Sequence, residues 1–495
     1  MEKVLVEKLF ENSKTIPDKI AVIADDGEIS YGELWNKIVG YAEKLKGNGI
    51  KRGDIIILQS MHTIGFVIAE FAIHLAGGIT ALIEKDMQRK GIENIVAILN
   101  AKAVISTVTM ENCLTFDIAD VKAIQENYNN EKSDFVFPSL EDCAEIIYTT
   151  GTTGESKGVQ LSHKAVITVI DNIVKAEDIK ADNIGLVPMP LNHVFGLRRY
   201  QTGLYCGTTI VLQECLRPIK KFFKALDKYH VTSLSLVPSA ISYIFAISKD
   251  LLGKYSNQIR YVESSAAPIS TDCKRQLHCL LPETKLFSFY GCTESTAACV
   301  LEYSNNLESE KCAGKVTVNT QVYILDDTTH ELIDTIENTG RVIIRSNANM
   351  TGYWDNEETT SKILIDGCIY TNDEGYFGKD GCLYLLGRKD DVINVGGNKI
   401  APEEIEEVVS RFDDIIDCAC IGIPNKLTGN EMVLCIKTNQ REDKFIFTIK
   451  QYLEAHLENY KIPSHIEIVE EIPRTYNGKL QRHKLRDYFR RDENE

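Results

Sequence analysis

The sequence predicts an α/β protein in which a large N-terminal region of layered sheets precedes a small α+β region. Short apolar runs such as 20–23, 54–58 and 233–237 alternate with amphipathic helical patterns. This alternation is typical of parallel sheets covered by helices. From Val316 the strand patterns follow one another closely, which indicates an antiparallel, β-barrel-like section. The large region should therefore contain two kinds of sheet.

The second region begins near Asp390, where the sequence pattern starts afresh. It predicts, in chain order, a helix over 402–410, strands over 415–423 and 431–438, a helix over 445–457 and a strand over 465–470. This succession has the size of a small α+β domain. We expect an N-terminal domain over 1–389 and a C-terminal domain over 390–495.

Charge and cysteine usage exclude several classes of function. The 55 basic and 71 acidic residues leave a net charge of −16, so we expect no nucleic-acid partner. The 14 cysteines include no CxxC pair, which predicts reduced, mostly buried thiols rather than a metal cluster.

The chain begins without a signal-peptide pattern, and the apolar window 64–83 contains Glu70 and His74, which a membrane span would tolerate poorly. We expect a cytoplasmic protein, with this window forming a buried helix and turn.

The segment 148–159, YTTGTTGESKGV, is predicted to bind a polyphosphate. Its glycines let the backbone expose successive N–H groups, while threonine hydroxyls and a lysine add donors for an anion. It is not a Walker loop, because Lys157 is followed by Gly158 rather than by Ser or Thr. The alternative is a surface turn between a strand and a helix. The candidate ligands are Thr149, Thr150, Gly151, Thr152, Thr153, Gly154 and Lys157.

This segment resembles the phosphate loop of the adenylate-forming superfamily. That superfamily includes acyl-CoA synthetases, aryl-CoA ligases, luciferases and the adenylation domains of peptide synthetases. Further motifs in the family's order extend to Lys479, and the segment 29–34, ISYGEL, also matches. The resemblance therefore covers essentially the whole chain.

The segment 290–294, YGCTE, follows an apolar run and matches the family's YGxTE motif. The resemblance implies that Tyr290 lies along the adenine, that Thr293 meets the phosphate with a catalytic role, and that Glu294 holds Mg²⁺ together with Thr149. Carboxylate oxygens suit that hard ion. A glutamate in such a position is otherwise an ordinary solvated turn residue.

Asp373 and Arg388 are the candidate ribose ligands. A carboxylate can accept both hydroxyl protons of a ribose while a guanidinium donates to its oxygens. The family pattern, TGD followed by GRxDD, is implied to place these two residues there. Asn372 replaces the usual glycine, and Gly340-Arg341-Val342 replaces a more usual Gly-Glu-Leu. Taken singly, the two residues could be an ordinary loop aspartate and a surface arginine.

The C-terminal motifs concern the two half-reactions. The stretch 393–405, INVGGNKIAPEEI, resembles the family segment that lines the pantetheine tunnel, and its candidates are Gly396, Gly397 and Lys399. The stretch 473–479 resembles the PRTxxGK motif. The resemblance implies that Lys479 bridges the attacking carboxylate and the α-phosphate, where an ammonium offsets the repulsion between two anions. It also places the interdomain hinge at Asp390.

The acyl pocket is expected at His193, Ser265 and Ala266. The segment 188–197 resembles the family's PLxHxxG pattern, and 264–268 resembles its SGGAP turn with two glycines replaced. A histidine among apolar residues is more often simply packed. Amino-acid-activating relatives usually carry an aspartate where Val194 aligns, and a buried ammonium without a partner would be costly. A non-amino carboxylate is therefore favoured.

The resemblance implies ATP, Mg²⁺ and coenzyme A as cofactors and a small-molecule fatty or aryl carboxylate as substrate. The carboxylate would attack ATP to give acyl-AMP and pyrophosphate, and a thiol would then take the acyl group after the C-terminal domain rotates. Three alternatives stay open: a ligase that loads a separate carrier protein, a non-catalytic homologue that serves as a binding module, and a luciferase-type oxygenase.

Overall fold

The structure is a computed structural model of the chain. The residues that it describes are 3–111, 113–124, 135–150, 156–304, 307, 311–388, 391, 393–395, 398–425, 428–440, 443–474 and 480–492.

Several helices begin at residues whose side chains accept hydrogen bonds from free backbone N–H groups. Ser30 forms a capping box with Glu33, since each side chain accepts a hydrogen bond from the other residue's backbone N–H. The side chains of Ser162 and Ser270 likewise cap their helices, and each accepts a hydrogen bond from the backbone N–H three residues further along. The helices are α1 (Leu5–Thr15), α2 (Tyr31–Gly47), α3 (Ile64–Leu75), α4 (Arg89–Leu99), α5 (Ile118–Val121), α6 (His163–Glu177), α7 (Val194–Tyr205), α8 (Ile219–Tyr229), α9 (Pro238–Ser248), α10 (Thr271–Leu280), α11 (Glu357–Ile363), α12 (Pro402–Ser410), α13 (Asp443–His456) and α14 (Arg482–Asp492).

The strands are short, and many are rich in β-branched residues, as expected for buried sheets. In the first part of the chain they are β1 (Ile20–Ala24), β2 (Gly27–Ser30), β3 (Ile55–Gln59), β4 (Ile79–Ile83), β5 (Ala103–Ser106), β6 (Leu114–Asp117), β7 (Cys143–Thr150), β8 (Ser156–Ser162), β9 (Ile184–Val187), β10 (Thr209–Leu212), β11 (Ser233–Ser235), β12 (Tyr261–Ser264), β13 (Lys285–Cys292), β14 (Ser295–Glu302) and β15 (Cys312–Val316). The remainder are β16 (Thr320–Leu325), β17 (Gly340–Ser346), β18 (Gly352–Tyr353), β19 (Leu364–Ile365), β20 (Cys368–Phe377), β21 (Leu383–Arg388), β22 (Ile393–Val395), β23 (Asn398–Ile400), β24 (Ile415–Asn425), β25 (Gly429–Thr438) and β26 (His465–Ile468).

The described chain divides into two compact units. The first contains the described residues of 1–150, 156–322 and 343–370, and the second contains those of 323–342 and 371–495. The expected domain boundary, between 389 and 390, falls on residues outside the described ranges. It stays a prediction.

The first unit contains two sheets of the predicted layered α/β kind. One has the order β6-β5-β3-β4-β7-β8-β18 and is parallel from β6 to β7. The other has the order β2-β1-β10-β9-β11-β12-β13-β14-β15 and is parallel from β1 to β13. In both sheets the strands turn antiparallel near one end, at β7–β8 and at β13–β14. These two antiparallel pairs carry the motifs of the candidate site.

The apolar window 64–83 is packed inside the first unit, as predicted. Every residue of α3 is buried, and the chain then turns at Gly77-Gly78 into the fully buried strand β4. Within the described residues, no helix combines the length and the apolarity needed to span a bilayer.

The closely spaced strands after Val316 are present, but they do not form the expected barrel. They lie in the order β16-β17-β20-β21 as an open row, and β20 and β21 are antiparallel. Closing a barrel requires a fixed stagger that brings the first and last strands into register. No such pairing joins β16 to β21 in the part of the chain that the structure describes. The β-barrel-like expectation is therefore wrong, whereas the α/β class is confirmed.

The C-terminal part of the second unit is the α+β fold that the sequence predicts. Its central feature is the long antiparallel pair β24–β25, flanked by β22 and by the parallel strand β26. The predicted helix over 402–410 is α12, and the predicted helix over 445–457 is α13. Apolar residues of α12 and α13, including Ile405 and Leu453, pack with β24 and β25 in one core.

Candidate active site

Several of the predicted site residues lie outside the described residues. They are Gly151, Thr152, Thr153, Gly154, Asp390, Gly396, Gly397 and Lys479. Thr149, Thr150 and Lys399 are placed only as backbone positions in β7 and β23. The roles of all these residues stay predictions.

The phosphate-loop segment joins two antiparallel strands. In the β7–β8 pair, Tyr148 lies opposite Gly158 and Thr149 lies opposite Lys157. Strand β8 was not predicted, although its alternation of buried Val159 and Leu161 with half-buried Gln160 is a signal for it. Helix α6 follows directly, with Ser162 as its N-cap. Lys157 therefore lies in β8, paired with the end of β7.

The YGCTE segment forms a second hairpin. Strand β13 ends at Cys292 and β14 begins at Ser295, so Thr293 and Glu294 form the turn between them. The turn is held by a hydrogen bond of 2.8 Å from the backbone N–H of Met350 to the Glu294 carbonyl. The Ser295 hydroxyl also lies 2.7 Å from Asn349 Oδ1, to which it donates. The carboxylate predicted to hold Mg²⁺ thus projects from a tight, tethered turn.

A tyrosine that the sequence reasoning did not consider joins these two hairpins. Tyr353 in β18 donates a hydrogen bond of 2.7 Å to Glu294 Oε1. Its backbone pairs with Val159 of β8, and the Lys157 ammonium lies 5.4 Å from the centroid of its ring. The predicted metal ligand and the predicted phosphate ligand therefore contact the same side chain.

The environment keeps the Tyr353 hydroxyl protonated. Burial raises its pKa, and the nearby Glu294 carboxylate, which accepts its proton in a hydrogen bond, raises it further. The side chain is only 7% exposed. The Tyr353 hydroxyl therefore keeps its proton and can donate a hydrogen bond at neutral pH.

The candidate ribose ligands meet within the second unit. Asp373 and Arg388 lie directly opposite each other in the β20–β21 pair, with Arg388 Nε 3.5 Å from Asp373 Oδ1. Arg341 and Asn372, which both depart from the family pattern, lie next to each other. Arg341 donates to the Thr371 carbonyl at 2.6 Å and contacts Asn372 Oδ1 at 3.5 Å. The arginine therefore helps to hold the segment that presents Asp373.

The acyl-pocket candidates lie in the first unit at two loops. His193 is half-buried and immediately precedes α7. Ser265 donates a hydrogen bond of 3.0 Å to the Phe289 carbonyl, one residue before Tyr290. Ala266 has a φ of +74°, in the left-handed region that favours glycine. The backbone thus keeps a conformation suited to the glycine of the family's turn, although a methyl group now occupies it.

The first unit also contains a buried ion pair that the sequence reasoning missed. Arg198 donates to both carboxylate oxygens of Glu145, at 3.1 and 2.7 Å. Gln201 donates to Glu145 Oε1 at 2.7 Å and to Glu70 Oε1 at 2.6 Å. All four side chains are essentially inaccessible. The signal was the presence of single charged residues inside apolar runs, which nearly always require a partner.

This network fixes the protonation of its carboxyl groups. Burial, followed by the charge of Glu145, raises the pKa of Glu70 well above its usual value, so Glu70 is neutral. Burial also acts to raise the pKa of Glu145, but the Arg198 charge and hydrogen bonds hold it below its usual value. Glu145 is in β7, which leads to the phosphate loop, and Arg198 is in α7, which follows His193. The pair therefore ties the two sides of the candidate site together.

The donors present suit Mg²⁺ rather than a dedicated metal cluster. No group of three or more His, Cys, Asp or Glu side chains gathers around one point in the described residues. Glu294 has one oxygen in the hydrogen bond from Tyr353, which leaves the second able to bind a cation. Mg²⁺ is commonly held by one or two carboxylates together with substrate phosphates. The single carboxylate of Glu294, bonded to the same tyrosine whose ring lies near the Lys157 ammonium, fits that pattern.

Known proteins match this chain over most of its length. Residues 9–354 match the family described as AMP-binding enzyme, and residues 404–479 match the AMP-binding enzyme C-terminal domain. The chain is 26% identical to acyl-CoA synthetase 7 of Caenorhabditis elegans over 99% of this chain and 96% of that protein. It is 26% identical to 2-succinylbenzoate–CoA ligase of Listeria innocua, over 95% and 97% of the two chains. The crystal structure of ATP-bound MatB from Rhodopseudomonas palustris has the same fold, with a TM-score of 0.88, 21% identity and 99% of each chain covered.

Gly291 should be required for the hairpin that presents Glu294. A Cβ at this position would lie 2.6 Å from the Ser295 carbonyl oxygen and 2.8 Å from the Ala297 nitrogen, both of them backbone atoms. We expect Gly291→Ala to destabilise the protein by about 1–3 kcal/mol, as overpacking does, and to lower the Tm. The control is Gly47→Ala, where an added Cβ would meet nothing within 4 Å. Equal Tm values for the two variants would show that the hairpin tolerates the extra methyl group.

Two half-buried histidines should make stability depend on pH. Burial lowers the pKa of His193, and that of His62, to about 4. The unfolded chain binds these protons near pH 6.5, so their contribution to stability is complete above pH 6.5 and is lost as the pH falls towards 4. We expect the Tm of His193→Gln to fall less steeply than that of the parent over this range. The exposed control, His456→Gln, should follow the parent, and a His193→Gln profile parallel to the parent's would contradict the assignment.

Proposed function

The chain belongs to the AMP-binding enzyme family, and we propose that it is an ATP-dependent carboxylic acid–CoA ligase that acts through an acyl-AMP intermediate. The observation that carries the proposal is the contact of Lys157 and Glu294 with Tyr353 at the base of the phosphate-loop hairpin. This arrangement provides a cation for phosphate and an anion for Mg²⁺ at one place. The names of the C. elegans and Listeria relatives, both acid–CoA ligases, support the choice of coenzyme A as acceptor.

The first half-reaction joins two anions. A carboxylate oxygen of the substrate attacks the α-phosphorus of ATP, and the bond to the pyrophosphate oxygen breaks. We assign Lys479 to the space between the carboxylate and the α-phosphate, where its ammonium offsets their repulsion. Lys157, Thr293 and the threonines of the phosphate loop are assigned to the phosphate oxygens. Mg²⁺, when bound at Glu294 and Thr149, would neutralise charge on the polyphosphate.

The nucleoside is assigned to two further sets of residues. Tyr290 is proposed to lie along the adenine, and Asp373 with Arg388 to hold the ribose hydroxyls. The carboxylate–guanidinium pair at 3.5 Å is compatible with this role, because a carboxylate has several acceptor positions and a guanidinium has five N–H donors. Arg341 would support it by fixing the preceding backbone.

The second half-reaction transfers the acyl group to a thiol. The sulfur attacks the acyl carbonyl, AMP departs with the oxygen that bridged the anhydride, and the thiol proton passes to solvent. Gly396, Gly397 and Lys399 are the candidates for the pantetheine arm, and Asp390 is the candidate hinge between the two half-reactions.

The substrate is proposed to be a fatty or aryl acid without an amino group. Val194, where an ammonium-binding aspartate would be expected in amino-acid-activating relatives, opens α7 and carries no charge. His193 beside it is neutral at pH 7 because burial lowers its pKa to about 4. A neutral pocket entrance provides no negative charge to pair with a substrate ammonium. Burying that ammonium without a partner would cost free energy. The alternative within the family is a ligase that loads a separate carrier protein.

A panel of carboxylic acids tests the proposed function. Pyrophosphate release should depend on ATP, Mg²⁺ and at least one fatty or aryl acid, and CoA should convert the product to a thioester. Thioester formation on a carrier protein but not on CoA would favour the alternative. If no acid releases pyrophosphate while Mg·ATP still binds, the chain is a binding module instead.

Lys479→Ala should separate the two half-reactions. We expect acyl-AMP formation to fall by about a hundredfold or more, since one charge-stabilising group is lost. Thioester formation from supplied acyl-AMP should remain close to the parent rate. Lys484→Ala is the matched control, because Lys484 is an exposed lysine only five positions further along the chain. Equal loss of both half-reactions in Lys479→Ala would exclude the assigned role.

A further inference from the structure

We propose that Tyr353 is a positioning residue that fixes the Glu294 carboxylate for Mg²⁺ and keeps Lys157 available for phosphate. The inference rests on the proposed function, because that function gives Glu294 and Lys157 their ligands. It assigns a role to a residue outside the matched YGCTE and phosphate-loop motifs.

The first observation is the hydrogen bond itself. A glutamate in a two-residue turn has three side-chain torsions, and holding it in one geometry for a metal costs conformational entropy. The Tyr353 hydroxyl engages Oε1 at 2.7 Å. Within the described residues, no other side chain donates to this carboxylate. The hydroxyl therefore fixes the orientation of the carboxylate before the metal binds, and Oε2 remains for the metal.

The second observation is that Tyr353 cannot move easily. Its backbone N–H donates to Thr360 Oγ1 at 2.9 Å, and the next residue, Trp354, donates to the Gly158 carbonyl at 2.8 Å. Gly158 in turn has little space, since a Cβ there would lie 3.0 Å from Ile146 Cγ2 and 3.4 Å from the Trp354 Cβ. The segment that carries the tyrosine is thus attached to the strand that carries Lys157. A shift in one would displace the other.

The third observation concerns the arrangement of charges. Lys157 lies over the ring of Tyr353, 5.4 Å from its centroid, while Glu294 accepts from its hydroxyl. The two charged groups form no ion pair with each other, although both contact one side chain. A direct ion pair would occupy the groups that phosphate and Mg²⁺ require. The aromatic ring instead offers the ammonium a weak cation–π contact, which a phosphate can replace at small cost.

These observations predict a specific coupling between the Tyr353 hydroxyl and the metal. The hydroxyl should strengthen binding of the nucleotide only when Mg²⁺ is present, because it acts through Glu294. The ring should affect nucleotide binding even without the metal, because it acts through Lys157. A purely structural role would weaken both forms of the nucleotide alike.

The experiment measures affinity for α,β-methylene-ATP by calorimetry, with and without Mg²⁺. The ratio of the two affinities defines the magnesium advantage. We expect Tyr353→Phe to reduce this ratio about fivefold, the loss expected for one net hydrogen bond, and to leave the metal-free affinity unchanged. Tyr353→Leu should reduce the ratio to the same extent and also weaken metal-free binding.

Two further variants separate a local effect from a general one. Tyr255 also donates to a carboxylate, Asp227 Oδ1 at 2.9 Å, but lies in the 3₁₀ segment Lys249–Tyr255, outside the site. Tyr255→Phe therefore loses the same kind of hydrogen bond and should lower the Tm without changing the magnesium advantage. In a Glu294→Gln background, Tyr353→Phe should have no further effect on the ratio.

The outcomes distinguish this inference from the proposed function. An unchanged magnesium advantage in Tyr353→Phe, or an equal loss with and without Mg²⁺, would overturn the positioning role even if the protein is an active ligase. A reduced ratio in a protein that releases no pyrophosphate with any acid would support the positioning role and reject the ligase activity.

Discussion

The ion pair between Arg198 and Glu145 is the interaction on which the rest of the site depends. Its two hydrogen bonds, at 3.1 and 2.7 Å, join α7 to β7 in a region closed to water. A buried charge without its partner is strongly destabilising, by about 3–5 kcal/mol. Separating strand β7 from helix α7 would therefore leave a buried charge without its partner. Because β7 leads to the segment predicted to bind phosphate and α7 follows His193, a residue predicted for the acyl pocket, the same contact links these two parts of the chain.

In each unit, antiparallel strand pairs carry the residues that are proposed to bind ligands. One hairpin, β7–β8, carries Lys157, and another, β13–β14, carries Glu294 in its two-residue turn. In the second unit, Asp373 and Arg388 lie opposite each other on β20 and β21. A hairpin fixes the direction of its side chains through the register of its strands. Within each unit, the register therefore determines which residues, although distant in sequence, lie opposite each other.

Much of this arrangement could be predicted from the sequence, and the exceptions have physical reasons. Alternating apolar runs were sufficient for the α/β class and for α12, because periodicity reports local burial. Pattern spacing could not show that β16 to β21 form an open row, since barrel closure depends on stagger between distant strands. The role of Tyr353 could not be predicted, because an isolated tyrosine after a glycine belongs to no sequence pattern that indicates a function. Its role follows only from the pairing of β18 with β8. Arg198 and Glu145 were hidden for the same reason, since their partnership joins residues 53 positions apart.

The destination of one oxygen atom tests the proposed chemistry most directly. An acid that supports pyrophosphate release would be labelled with ¹⁸O in its carboxylate and converted to the thioester, and the phosphate-containing products would be analysed by mass spectrometry. Attack on the α-phosphorus predicts one labelled oxygen in AMP and none in pyrophosphate. Label in inorganic phosphate, with ADP as the other product, would mean that the acid attacks the γ-phosphorus, and would contradict the adenylate account.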